Sequence, residues 1–217
     1  MNLGLSMSFI ISGVLILMIA TLNLRLGQHS SDLALHEMSK THIEAVYEML
    51  LFDFQKAGYD IDGAISSPIF LATPDTIAFE ANVEADPVLA GNPPIVMWGY
   101  TDQMVPGSGN PDHRILQRIV SSNMVIDTPG GSIVTGATTD EVTNIGIGVT
   151  RFELQYYTAG SNTPMTFPIA ASDMSEIRRI EIFVETQPRE GVGMPGGEVR
   201  FPASQWRKTI VPPNLDL

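Results

Sequence analysis

Residues 3–24 read LGLSMSFIISGVLILMIATLNL, from Leu3 to Leu24, and the first charged side chain of the chain is Arg25. As a helix these 22 residues would rise about 33 Å, which matches the roughly 30 Å of hydrocarbon in a bilayer. A secretory signal peptide would begin with a basic stretch and place small residues before its cut, yet no Lys or Arg precedes the run and Met18 stands two before Ala20. A core helix of a soluble domain is seldom apolar on every face for so long. The stretch therefore reads as a membrane or assembly helix over residues 1–24. Leu5, Phe9, Ile10, Leu15, Leu17 and Leu22 supply its apolar surface, and Gly4 and Gly13 offer close approach to a neighbour.

Working outward from Leu24, helical character continues, because no proline occurs before Pro68. Leu35, Met38, Ile43, Val46, Tyr47, Leu50, Phe54 and Ala57 form one stripe, while Glu37, Lys40, Glu44 and Glu48 form another. Residues 25–58 are thus expected to be an amphipathic continuation, with Lys40 paired to Glu37 and Glu44 and with Gly58 as its C-cap. Joined end to end, the two segments would make a helix of roughly 80 Å, only half of which can rest on a domain.

From residue 59 to 217 the pattern changes to strands and turns. Thr76–Val83, Val149–Tyr157 and Ile177–Glu185 alternate apolar and polar residues, as half-buried antiparallel strands do. Pro68–Ala72, Ile95–Tyr100, Arg114–Val120, Met124–Asp127 and Trp206–Val211 are shorter strand candidates. Residues 85–94, 102–112, 129–145, 159–175 and 188–197 read as loops. The expected class is α+β, a long N-terminal helix packed on an antiparallel sheet.

Composition narrows function. With 24 acidic and 12 basic residues among 217 the formal charge is −12, so no broad cationic field exists to bind nucleic acid. Zero cysteines exclude disulfides, thiolate metal sites and thiol nucleophiles.

Several stretches together resemble a known family. They are the apolar N-terminal helix, YEMLLFDFQKAGYD at 47–60, HRILQRIV at 113–120, VTRFELQYY at 149–157 with the following IRRIEIFVETQ, and the closing WRKTIVPPNL. In that order the chain is similar to type IV pilin-like proteins, in particular the PilW and J-type minor pilins and pseudopilins of type IV pilus and type II secretion systems. The resemblance implies a structural subunit stored in the inner membrane and assembled through its apolar helix, with copies of itself or other pilins as partners, into an extracellular filament or a periplasmic pseudopilus. One departure stands out. The family carries a glutamate at the fifth position of the mature chain, whereas here no acidic residue precedes Asp32. A cut after Gly4 would make Phe9 the fifth residue, and an uncut chain has Leu5 there.

Catalytic patterns are sparse. The histidines His29, His36, His42 and His113 lack an HExxH spacing, and the three on the helix read as solvated side chains; no nucleophile elbow, Walker loop or dinucleotide fingerprint occurs, and Gly107-Ser108-Gly109 reads as a turn. No enzyme activity or cofactor is expected. Asp60 and Asp62 are a fragment of a calcium-loop pattern without its closing glutamate and form the one Ca²⁺ candidate. Eight acidic residues and no basic one lie between Lys56 and Arg114. Arg178, Arg179, Arg207 and Lys208 could meet that acidic surface on a neighbouring subunit and set register. Trp98 and Trp206 are candidates for a partner surface or for packing within the sheet. The alternative function is a single-pass anchored envelope protein whose β-domain binds a ligand.

Overall fold

In a computed structural model of the chain, residues 3–59, 67–83, 94–121, 125–127, 132–134, 141–193 and 197–216 are described. One helix, α1 (Leu3–Gln55), runs unbroken through both N-terminal segments, its 53 residues corresponding to about 80 Å. The absence of proline and the abundance of Leu, Met, Ala and Glu let the ladder continue across Arg25, where hydropathy changes. Past Gln55 the chain turns. Gly58 takes φ 78°, and its N–H donates to the Glu80 carbonyl at 2.9 Å. A Cβ there would lie 2.8 Å from the Asn214 carbonyl oxygen, so both the left-handed backbone and the close approach require glycine.

The β-domain follows. Strands β1 (Ile69–Ala72), β2 (Thr76–Glu80), β3 (Ile95–Met104) and β4 (Arg114–Ser121) precede a short ribbon of β5 (Val125–Asp127) and β6 (Ser132–Val134). Then come β7 (Glu141–Ile145), β8 (Val149–Thr158), β9 (Ile177–Thr186), a second ribbon of β10 (Val192–Gly193) and β11 (Val199–Arg200), and β12 (Ser204–Ile210). A five-stranded antiparallel sheet has the order β1-β2-β3-β4-β7, and a three-stranded one the order β12-β9-β8. β7 falls in a segment expected to be a loop. Its sequence, EVTNI, is short and polar, and pairing with β4, which places Ile145 opposite Leu116, is what makes it a strand.

Both sheets lay one face on the C-terminal part of α1. Ile43, Val46, Leu50, Phe54 and Ala57 project from the helix into a core with Phe79, Val96, Leu116, Leu154, Ile180 and Ile182. Their spacing of three and four residues keeps them on one stripe. Two details of that stripe differ from expectation. Met38 is 52% exposed while Ser39 beside it is fully buried, and further along the stripe the polar Asp53 is 1% exposed. Lys40 forms no ion pair with Glu37 or Glu44 among the described residues. The five-stranded sheet is also less amphipathic than its alternation implied. Leu71, Ala78, Met97 and Ile119 form a second buried apolar cluster. Glu80, expected at the wet face, is 4% exposed, and burial raises its carboxyl pKa.

Candidate functional site

The part of the molecule that most needs a partner is the N-terminal half of α1. Phe9 is 73% exposed, Ile10 66%, Leu15 53%, Leu17 68% and Leu22 58%. A Cβ at Gly13 would meet nothing within 4 Å. Leu5 lies within the same helix, with its side chain outside the described set. This is one helix long and apolar enough to cross a membrane, and among the described residues none of its apolar window is buried. Isolated exposed leucines are ordinary on a protein surface, whereas a contiguous apolar cylinder of this length is not.

The helix is fixed to the domain by a buried polar anchor that sequence reasoning did not assemble. Asp53 accepts the indole N–H of Trp98 at 2.8 Å and two guanidinium N–H groups of Arg118, at 2.6 and 3.0 Å. Trp98 is fully buried and Asp53 is 1% exposed, so the ion pair lacks water and depends on its bidentate geometry. Trp98 therefore packs in the core. The signal was present, because Asp53 shares the helical stripe of Val46, Leu50 and Ala57, and a carboxylate on a buried stripe demands a donor. A second bond joins helix and sheet where the Thr186 hydroxyl donates to the Ser39 carbonyl at 3.0 Å. Trp206 stacks on Tyr47 of α1 with ring centroids 4.7 Å apart.

His113, the one histidine outside the helix, is fully buried. The Gln187 carbonyl, 3.1 Å away, can only accept, so Nε2 carries the proton, and Nδ1 accepts from the Ser108 hydroxyl at 2.7 Å. Burial lowers the imidazole pKa, as do Arg189 and His42, while the bond to Gln187 and the charge of Asp112 oppose the shift. The Ser–His contact superficially resembles a nucleophile and its base. However, the amides of Ser108, Gly109 and Asn110 are engaged with the Val105 carbonyl, the Arg189 carbonyl and the Ser108 hydroxyl, leaving none of these three to hold an oxyanion. The network latches residues 105–113 onto the end of β9.

The basic residues expected at an intersubunit contact are dispersed. Arg178 donates to the carbonyls of Ser175 and Ile177. Arg179 lies over the Tyr157 ring at 4.3 Å and donates to the Ser161 carbonyl. Arg207, 62% exposed, pairs with Glu181 at 3.1 Å. Lys208 sits 5.7 Å from the Tyr47 ring centroid on the neighbouring face. Arg151 and Glu153 pair at 2.7 Å on the outer face of the three-stranded sheet. Asp60 and Asp62 lie outside the described residues, and among those described no three His, Cys, Asp or Glu side chains group as a metal site.

A polar cleft of about 300 Å³ opens between Tyr100, Asp102, Asp112, Arg114, Arg151 and Glu185. The Tyr100 phenol is pushed up to about 12 by burial, with Asp112, Glu185 and Asp102 adding to the shift and Arg114 opposing it. With this geometry established, comparison with known proteins adds no relative: no protein-family model, no curated protein and no solved structure matches the chain significantly.

Proposed function

We propose that the protein is a structural subunit, a pilin or minor pseudopilin, of a type IV pilus-like filament or type II secretion pseudopilus. The observation that carries this reading is a single rigid helix, apolar and uncovered over its first half and anchored to a β-domain over its second. Such a cylinder is stable only in lipid or inside a bundle of other helices. Before assembly it spans the inner membrane as a monomer with the β-domain outside. In assembly, copies of itself or other pilins replace lipid around it, and the β-domains form the outer surface of a periplasmic or extracellular fibre. The subunit's work is mechanical and needs no catalytic group.

The test is to shear surface filaments from the native cells and locate the protein by mass spectrometry in sheared and membrane fractions, reading its first residue. Recovery in the filaments supports the proposal, and removal of residues 1–24 should then abolish incorporation. Filament incorporation that survives this deletion would refute it. A second reading, an anchored envelope protein that binds a ligand, draws on the open cleft beside Tyr100. Confinement to the membrane fraction as a detergent-stable monomer would favour that reading.

A further inference from the structure

A face of α1 that the core leaves exposed carries a seven-residue repeat. Ile10, Leu17, Leu24, Ser31, Met38 and Ala45 follow one another at this interval, and all are exposed, Leu24 at 68% and Met38 still at 52%. Three residues after each of the first five stand Gly13, Ala20, Gly27, Ala34 and Thr41, all small and all exposed. Where a Cβ would stand at Gly13 and at Gly27 there is open space. The repeat ends at Glu48, which occupies the next small position. Alternating steps of three and four residues average 3.5, the period that keeps one helix face against another in a left-handed pair. Small residues throughout the second series, and at Ser31 and Ala45 of the first, let two backbones approach closely, with Ile10, Leu17, Leu24 and Met38 as the large side chains between them.

Three further observations say what covers this seam. First, where the domain reaches toward it, the seam stays open. Leu24, Gly27, Ser31 and Ala34 line a groove of about 650 Å³ whose far wall is Glu190–Gly193, held to the helix by the Gln28 amide donating to the Gly193 carbonyl at 3.4 Å. Second, the flanking charges choose a direction. Glu37 and Glu44 border one side, and Gln28, Leu35, His42 and Met49 border the other. Parallel copies set the glutamates of one helix against the side of the other that carries no carboxylate, Glu37 facing His42. Antiparallel copies would set glutamate against glutamate. Third, the area suffices. From Ile10 to Ala45 the seam is about 54 Å long and about 10 Å wide, hence roughly 1,100 Å² over both partners, above the ~1,000 Å² expected of a specific interface.

We propose that a second copy of this chain docks in parallel along the Ile10–Ala45 seam, in register or offset by one repeat of seven residues. This deepens the filament reading by naming the helix face through which copies meet, and it rests on that reading for the common orientation of the helices in the membrane. The natural absence of cysteine makes oxidative cross-linking of the full-length protein in native membranes and filaments a clean test. Single variants Ala34→Cys, Met38→Cys and Thr41→Cys, compared with His36→Cys and Lys40→Cys on other exposed faces, should form covalent dimers several-fold more readily if copies are in register. For an offset of one repeat, co-expressed Ala34→Cys and Thr41→Cys chains should cross-link with each other and not with themselves. Cross-linking as strong at His36 and Lys40 as on the seam, or none in either design, overturns the proposal. Protein found in filaments without seam cross-links would reject the seam alone. Seam cross-links in protein confined to membranes would reject the filament and keep the seam.

Discussion

Leu17 and Leu50 belong to the same helix and meet opposite surroundings, one 68% exposed and the other fully buried. Around Leu50 the domain supplies Phe79 and Val96, and at Trp98 and Arg118 the partners of the Asp53 anchor; around Leu17 the described residues supply no cover. The difference shows that an apolar side chain stabilises only the state in which it finds cover. The C-terminal half of α1 is part of the folding unit, and the N-terminal half stores its burial for another environment.

The comparison is broken most severely at the anchor. Asp53→Ala takes from the largely buried Arg118 its bidentate carboxylate, leaving Glu141 at 3.9 Å, and from Trp98 its acceptor, and should cost about 3–5 kcal/mol of domain stability; thermal or urea unfolding of the purified protein would measure it. Leu50→Ala should cost about 2–5 kcal/mol. Leu17→Ala should change domain unfolding by less than about 0.5 kcal/mol, and an equal loss at both leucines would refute the division of the helix. Gly58→Ala, which strains a left-handed backbone and pushes a methyl toward the Asn214 carbonyl, should destabilise by about 1–3 kcal/mol in the same assay.

A pH effect sharpens the contrast within the domain. Because the folded pKa of His113 lies below its ordinary 6.5, the unfolded chain takes up the proton first. The stability contributed by the neutral imidazole is complete above pH 6.5 and is lost as pH falls through the lower folded value. Unfolding midpoints measured from pH 8 to pH 5 should decline, and His113→Gln should flatten that part of the curve. The smallest effect is expected at the exposed pair. Arg207→Glu should alter stability by no more than about 1 kcal/mol. If Arg207 sets register between subunits, the same reversal will lower filament incorporation at low salt, and unchanged incorporation would remove it from the interface.

Much of this architecture was legible in sequence. The uncharged run to Leu24, the proline-free stretch to Pro68 and the alternation of Val149–Tyr157 and Ile177–Glu185 each report a local periodicity, which the backbone obeys without knowing the rest of the fold. Met38 reads as part of the core stripe because it is apolar, yet Ser39, about 100° further round the helix, is the residue that faces the sheets. β7 was missed because five residues with a Thr and an Asn carry too little periodicity to outweigh their turn-like neighbours. The burial of His113 was not legible, since nothing within a few residues announces the Gln187 carbonyl 74 positions away.

By itself the sequence determined that one long helix, uncharged at its start, precedes an antiparallel β-domain without cysteine chemistry. Tertiary structure alone decided which donors the Asp53 carboxylate would meet, joining it to Trp98 and Arg118 across separations of 45 and 65 residues. It also decided which face of α1 is left open. Local periodicity sets the shape of each element, but burial depends on what another part of the chain brings to that face, and no spacing within a helix encodes it.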